Sequence, residues 1–303
     1  MGSPEFAVPS LEALVGAQQV VGVVTQPDRP AGRGARLTPP AVKVAALALG
    51  LPVLQPERVG APEALAQLTA WAPEVIVVAA FGQLLPPALL VLPACGCVNV
   101  HASLLPRWRG AAPIAAAILA GDTLTGVSLM RMDEGLDTGP LIAQCEEPIR
   151  PDDTTGSLTA RLARLGADLL LETLPGYLGG ERIPRPQPEA GVTFCRPLRK
   201  ADGRLDWSRS AVELERRVRA MNPWPGAFTI WAGQPLKVLR AAPLLEGDES
   251  GPVGRVVPLQ GGAAVVTGGG LLQLLEVQRA GKSALPIEAF LRGQPQFVGA
   301  ILQ

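Results

Sequence analysis

Asn99-Val100-His101 closes an apolar run, and His101 is the only histidine among 303 residues. Alternate side chains of a strand leave from one face, so Asn99 and His101 aim at a single spot just past the strand's end. A carboxamide and an imidazole so placed can steady an oxyanion and move a proton. Further on, Met132-Asp133-Glu134-Gly135-Leu136-Asp137-Thr138-Gly139-Pro140 sets Asp137 between glycines, in a loop able to carry its carboxylate to the imidazole, while Asp133 and Glu134 shape the loop. Taken alone, the Asn-x-His pair fits a strand-end amide beside a satisfied core histidine equally well. The Asp137 loop and the abrupt polar break after the strand tip the balance toward chemistry. That break, residues 103–113, brings Arg107, Trp108, Arg109 and Gly110 to the mouth of the same site, an order hard to explain as a loop of surface cations.

Such a site needs strands that end together. Strand candidates in the first 180 residues are 20–25, 51–54, 74–79, 97–101 and 127–132, interleaved with helical stretches at 9–15, 41–49, 62–70, 111–119 and 155–178. Near-continuous apolar strands alternating with helices predict an α/β, Rossmann-like, mostly parallel sheet covered on both faces. Ligands of such sheets bind beyond the carboxyl ends of the strands, where Asn99 and His101 fall. No Gly-x-Gly-x-x-Gly follows a strand, so nothing favours a dinucleotide. The alternation opens on Gly2-Ser3-Pro4-Glu5-Phe6, a segment that ordinarily follows a strand. A doubly wound sheet without its first strand is expected to leave a gap or rearrange, and the true start is expected upstream. Residues 26–37 form a Gly- and Pro-rich loop carrying Arg29, Arg33 and Arg36. By itself it reads as a flexible solvated loop; at the ligand edge of the sheet it reads as one that reaches for phosphates or a nucleic-acid end.

Residues 181–200 mix glycine, proline and charge and read as an interdomain linker. Beyond them, a helix at 210–221 and short strands at 227–231, 236–239, 254–257, 263–267 and 271–277 predict a second domain over 201–303, a small OB-like β-barrel. Trp224, in Asn222-Pro223-Trp224-Pro225-Gly226, reads as a packing anchor, with base stacking as the alternative. The zero net charge hides an asymmetry, −5 over residues 1–180 and +5 over 181–303. A basic second half can attract a polyanion such as nucleic acid, although composition alone favours an ordinary solvated surface. Cys95, Cys97, Cys145 and Cys195 are too few and scattered for a disulfide framework, and one histidine completes no zinc site with them. Reduced thiols and no metal are expected. No apolar stretch reaches the length of a membrane span and the first residues carry no basic n-region, so the expected location is the cytoplasm.

Assembled, residues 2–11, 25–34, 99–113, 132–140 and 222–227 make the chain resemble the methionyl-tRNA formyltransferase family over nearly its whole length. The Asn-x-His element and the Asp loop are common to folate-dependent formyltransferases and related hydrolases. The arginine loop, Arg107-Trp108-Arg109-Gly110 and the basic C-terminal domain narrow the resemblance, and the absent initial strand departs from it. The resemblance implies a formyltransferase domain at 1–180 and a tRNA-binding domain at 201–303, acting as a monomer. The implied reaction moves a formyl group from 10-formyltetrahydrofolate to the α-amine of methionine on initiator tRNA, without a metal. It implies Asn99, His101 and Asp137 as catalytic residues, and Ser103, Leu104, Leu105, Pro106, Phe81, Gly82, Gln83 and Gly135 at the folate. Arg29, Arg33 and Arg36 are implied at the tRNA acceptor end. Rival readings at this point are a formyltransferase for an amino sugar or for glycinamide ribonucleotide, a formyl-folate hydrolase, and a non-catalytic RNA-binding protein.

Overall fold

Cys97–His101 has the burial its sequence dictates, with Cys97, Val98, Val100 and His101 inside and Asn99 half-buried. The structure is a computed structural model that describes residues 1–31, 36–244 and 251–303. These form two compact units, one of residues 1–113, 124–148 and 159–195, the other of residues 114–123, 149–158 and 196–303.

In the first unit Val23–Val24 pairs in parallel with Val53–Leu54, and Ile76–Val78 in parallel with Cys97–His101, Val78 opposite Asn99. Leu124–Arg131 then runs antiparallel to Cys97–His101, and Leu141–Pro148 antiparallel to Leu124–Arg131. The α/β class and its largely parallel sheet stand, with the last two strands, Leu124–Arg131 and Leu141–Pro148, added antiparallel at one side. Leu124–Arg131 has six consecutive buried residues, the unbroken apolar signature of a parallel strand, and burial on both faces is indifferent to direction. The connection from Met132 to Pro140 is too short for a crossover, which forces the antiparallel return. Leu141–Pro148 is not evident from sequence because all its residues are exposed or half-buried.

Met1 and Gly2 run between the two parallel pairs. The Gly2 N–H donates to Val24 O at 3.0 Å and the Ala79 N–H to Met1 O at 2.9 Å. Beside them a cavity of about 340 Å³ opens along Val20, Gly22, Trp71, Ile76 and Leu174. Helix Thr155–Leu178 matches its predicted bounds, and from Thr159 onward it belongs to the first unit. Leu162, Ala163, Leu170 and Leu174 are buried at helical spacing. Gly166 permits its close approach, since a Cβ there would fall 2.8 Å from Val100 Cγ1. The Tyr177 hydroxyl fixes the far end by donating to Cys95 O at 2.6 Å.

The 181–200 stretch is not a free linker. Arg185 and Leu141 exchange backbone hydrogen bonds of 2.7 and 2.8 Å, and Phe194–Cys195 pairs in parallel with Arg109–Gly110. Its prolines stiffen an extended chain instead of loosening it. Residues 181–195 therefore go with the first unit and 196–200 with the second.

The second unit is built on an antiparallel sheet in the order Phe228–Trp231, Gln234–Leu244, Leu271–Arg279, Gly262–Val266, Val256–Leu259, with Ala284–Pro286 also on Leu271–Arg279. Helix Ala211–Ala220 starts at a capping box, Ser210 accepting from the Glu213 N–H while Glu213 accepts from the Ser210 N–H. Trp231, Phe290 and Phe297 pack edge to face with centroids 5.1–5.6 Å apart, which seats the C-terminal helix Ile287–Gly293. Among the described residues no helix is long and apolar enough to cross a membrane.

Candidate active site

Parallel pairing brings the carboxyl ends of Ile76–Val78 and Cys97–His101 side by side, so the segments leaving both strands meet around Asn99 and His101. Asp137 arrives from the opposite direction, on the return between Leu124–Arg131 and Leu141–Pro148. Its backbone is left-handed, with φ 51°. Glycines allow the loop to fold back on itself: a Cβ on Gly139 would lie 1.8 Å from Arg131 O, and one on Gly135 1.9 Å from Thr138 Oγ1. Asp133 ties the turn by accepting from the Gly135 N–H at 3.0 Å and Thr138 Oγ1 at 2.7 Å.

Asp137 is the hub. Its Oδ1 accepts from Asn99 Nδ2 at 3.4 Å, and its Oδ2 accepts the Gly110 N–H at 2.8 Å while facing His101 Nδ1 at 3.7 Å. Across the ring, His101 Nε2 lies 3.0 Å from Trp108 O. A carbonyl oxygen only accepts, so Nε2 carries a proton and Nδ1 is the nitrogen left to take or release one beside the carboxylate. His101 and Asp137 are only 6% and 14% exposed, which leaves their interaction weakly screened.

The Trp108 carbonyl and the Gly110 N–H are functional groups that sequence reasoning does not reach. Trp108 is left-handed at φ 60° and Gly110 has φ 115°. A Cβ on Gly110 would fall 2.1 Å from Cys195 O, so glycine is required where the two segments pair. The Trp108 N–H donates to Thr193 Oγ1 at 2.8 Å, and the Arg107 guanidinium stacks 4.7 Å from the Trp108 ring centroid. Burial pushes the Cys195 thiol up from its ordinary pKa, and the nearby Asp137 adds to this.

The residues expected at a ligand lie on three segments: one after His101, one after Val78 and, with Gly135, the Asp137 loop. After His101, the Ser103 hydroxyl is fully buried and donates to Arg107 O at 2.6 Å. The Leu105 N–H donates to Ser128 Oγ at 3.0 Å, Gln144 Nε2 donates to Leu105 O at 2.9 Å, and Leu105–Pro106 is a cis peptide. Leu104 and Pro106 are half-buried. After Val78, Phe81 is buried and its carbonyl accepts from Ser3 Oγ and Gln26 Nε2, both at 3.2 Å. Gly82 has φ 83°, and the Gln83 amide serves the neighbouring loop, accepting from the Val59 N–H at 2.7 Å and donating to Pro56 O at 3.1 Å.

Arg29 and Arg36 lie apart from this convergence, on the antiparallel pair Arg29–Ala31 and Arg36–Thr38. Arg29 meets Glu57 at 3.2 Å on the surface, Arg36 is exposed, and Arg33 lies outside the described residues. Asp28 at the root of this pair accepts from Gln55 and Lys43, which together hold its carboxyl below the usual range. Trp224 is not a packing anchor: it is 55% exposed, while Trp207 and Trp231 fill the interior of its unit. Among the described residues no group of three His, Cys, Asp or Glu side chains is placed to hold a metal ion.

Comparison with known proteins bears on this geometry. Residues 2–174 match the formyl transferase family model and residues 197–295 the formyl transferase C-terminal domain. The chain is 50% identical to the methionyl-tRNA formyltransferase of Chloroflexus aurantiacus over 97% of its own length and 95% of the relative's. It is 52% identical to that of Halorhodospira halophila over 100% and 97% of the two chains. Among solved structures it is similar in fold to WlaRD, a sugar 3N-formyl transferase crystallised with dTDP and 5-N-formyl-THF, with TM-score 0.66, 17% identity and 93% and 97% coverage of the two chains. It is also similar to HypX of Aquifex aeolicus in complex with tetrahydrofolic acid, with TM-score 0.60, 19% identity and 89% of this chain against 46% of that one. The chain thus spans about half the length of HypX and nearly all of its curated relatives. With both family domains in place and half of its residues shared end to end, this chain belongs to the methionyl-tRNA formyltransferase family.

Proposed function

We propose that this protein transfers the formyl group of 10-formyltetrahydrofolate to the α-amine of methionyl initiator tRNA, giving formylmethionyl-tRNA for translation initiation. The observation that carries the reading is the convergence of Asn99, His101 and Asp137 in a member of this family. The folate supplies a formyl carbon on an aryl-substituted nitrogen, a weak base that departs readily. As the amine adds, the formyl oxygen gains negative charge, and the Asn99 amide with its second N–H is the donor placed to stabilise it. His101 Nδ1, backed by Asp137, takes the proton that the amine nitrogen gives up once it has added to the formyl carbon, and passes it to the folate nitrogen as the C–N bond breaks. Trp108 O keeps the other ring nitrogen protonated, so the ring always offers the same face to this exchange.

Leu104, Leu105, Pro106, Gly82, Gln83 and Gly135 border the folate, with Ser103 and Phe81 supporting that surface from within. The Leu105–Pro106 turn, braced by Ser128 and Gln144, is a rigid wall of the kind a flat ring needs. Arg29, Arg33 and Arg36 reach the acceptor end of the tRNA, and residues 201–303, read as an OB-type barrel, hold the stem through phosphates. The first unit, residues 1–113, 124–148 and 159–195, supplies the chemistry. The protein acts in the cytoplasm as a monomer and without a metal.

Incubation with 10-formyltetrahydrofolate and charged initiator tRNA is expected to yield formylmethionyl-tRNA. Faster transfer to an amino-sugar nucleotide, to glycinamide ribonucleotide or to water would overturn the assignment.

A further inference from the structure

Gln187 sits between Pro186 and Pro188 in the stretch that follows the long helix, and its side-chain amide meets two carbonyls and one guanidinium, with Met130 Sδ 4.0 Å from Nε2. Nε2 donates to Asp137 O and Gly139 O, both at 2.8 Å. Oε1 accepts from Arg109 Nε at 3.1 Å and Arg109 Nη2 at 2.7 Å. A primary amide has two N–H donors and two carbonyl lone pairs, so this one is saturated. Its partners belong to the two loops that frame His101: one supplies Trp108 O and the Gly110 N–H, the other supplies the Asp137 carboxylate. The backbone of Arg185, bonded both ways to Leu141, holds the glutamine in reach.

We propose that Gln187 is a positioning residue that ties the Asp137 loop to Arg109 and so fixes the Asp137 carboxylate against His101. The inference rests on Asn99, His101 and Asp137 being the reacting groups. Asp137 O and Gly139 O converge on one point, and two carbonyl dipoles so close need a donor between them. Only a primary amide gives two donors there and an acceptor for Arg109 on one planar group, and glutamine has the longer stem of the two residues that carry one. Glutamate in this place keeps the partner of Arg109 but sets negative oxygens against two carbonyls, which pushes the Asp137 loop away. Asparagine has the same groups on a stem one methylene shorter and spans one loop only.

The test uses Gln187→Glu and Gln187→Asn in the full chain. Because the protein has a single histidine, ¹⁵N signals from its ring report His101 alone. In the unaltered protein they are expected to show the Nε2–H tautomer. Gln187→Glu is expected to lower kcat about 10–100-fold, the range for residues that orient a reacting group through another. It should leave KM for the tRNA unchanged and move the ring signals toward a mixture of tautomers. Gln187→Asn falls between the two. Unaltered ring signals with near-normal kcat in Gln187→Glu overturn the proposal. So does a kcat loss that merely tracks the unfolded fraction while the folded protein keeps its ring signals; should the glutamate variant not fold, the same comparison is made in Gln187→Asn. Failure of the catalytic reading is seen separately, as undiminished turnover in Asn99 or Asp137 variants.

Discussion

His101 Nδ1 stands 3.7 Å from Asp137 Oδ2, and the same oxygen accepts the Gly110 N–H at 2.8 Å. The backbone donor anchors the carboxylate, so its distance to the imidazole is set by the loops and not by side-chain rotation. Asp137→Asn keeps the shape but replaces an anionic acceptor by an amide. The expected result is a kcat lower by about 10²–10⁴-fold, the usual contribution of positioned proton transfer, with melting temperature nearly unchanged. Steady-state kinetics beside a thermal melt check this, and a folded variant with ordinary kcat refutes it.

Gly110→Ala tests whether the pairing of Arg109–Gly110 with Phe194–Cys195 is needed for the site. The added Cβ would meet Cys195 O at 2.1 Å on a residue with φ 115°, so the strands must part. Strain of this kind costs about 1–3 kcal/mol, and the displaced Gly110 N–H and Trp108 O lower kcat in the same variant. Denaturant unfolding and kinetics are to be measured together. Full activity with unchanged stability is the contrary result.

Much of this site is legible in the sequence, and the reasons differ by residue. Asn99 and His101 show themselves through the two-residue period of a strand, and the structure gives that strand the expected bounds. Asp137 is marked by the glycines that let its loop turn back. Gln187 carries no such mark, because its partners Arg109, Asp137 and Gly139 lie far off in sequence and the prolines around it imitate a linker. Trp224 misleads in the other direction: an aromatic residue between prolines looks like core, but Trp207 and Trp231 already occupy that interior. Helix Ile287–Gly293 is hidden by its shortness, since only Ile287 and Phe290 are buried and no periodic face can form.

Asp202 should make the second unit sensitive to acid. The Arg196 guanidinium, then the Arg199 N–H, holds its carboxyl down at about 2, from an ordinary 3.8. A carboxylate whose pKa falls on folding stabilises the fold above its unfolded value and loses that contribution as pH drops through the folded one. The stability difference between the unaltered protein and Asp202→Asn should therefore be constant near neutrality and shrink between pH 3.8 and about 2. Paired denaturant titrations across that window check it, and a difference independent of pH contradicts it.

Arg36 is exposed on the strand Arg36–Thr38, within the 26–37 stretch. Arg36→Ala is expected to raise KM for charged tRNA while leaving folate binding intact. If the guanidinium meets one phosphate, the slope of log kcat/KM against log salt should fall by about one. Equal loss of tRNA and folate use would count against this role.

The most direct test of the account is single-turnover formation of formylmethionyl-tRNA by Asn99→Ala. Loss of one oxyanion donor predicts a rate lower by about 10²–10³-fold in a protein that still folds and still binds folate. A rate close to that of the unaltered enzyme would contradict the placement of the reaction at Asn99, His101 and Asp137.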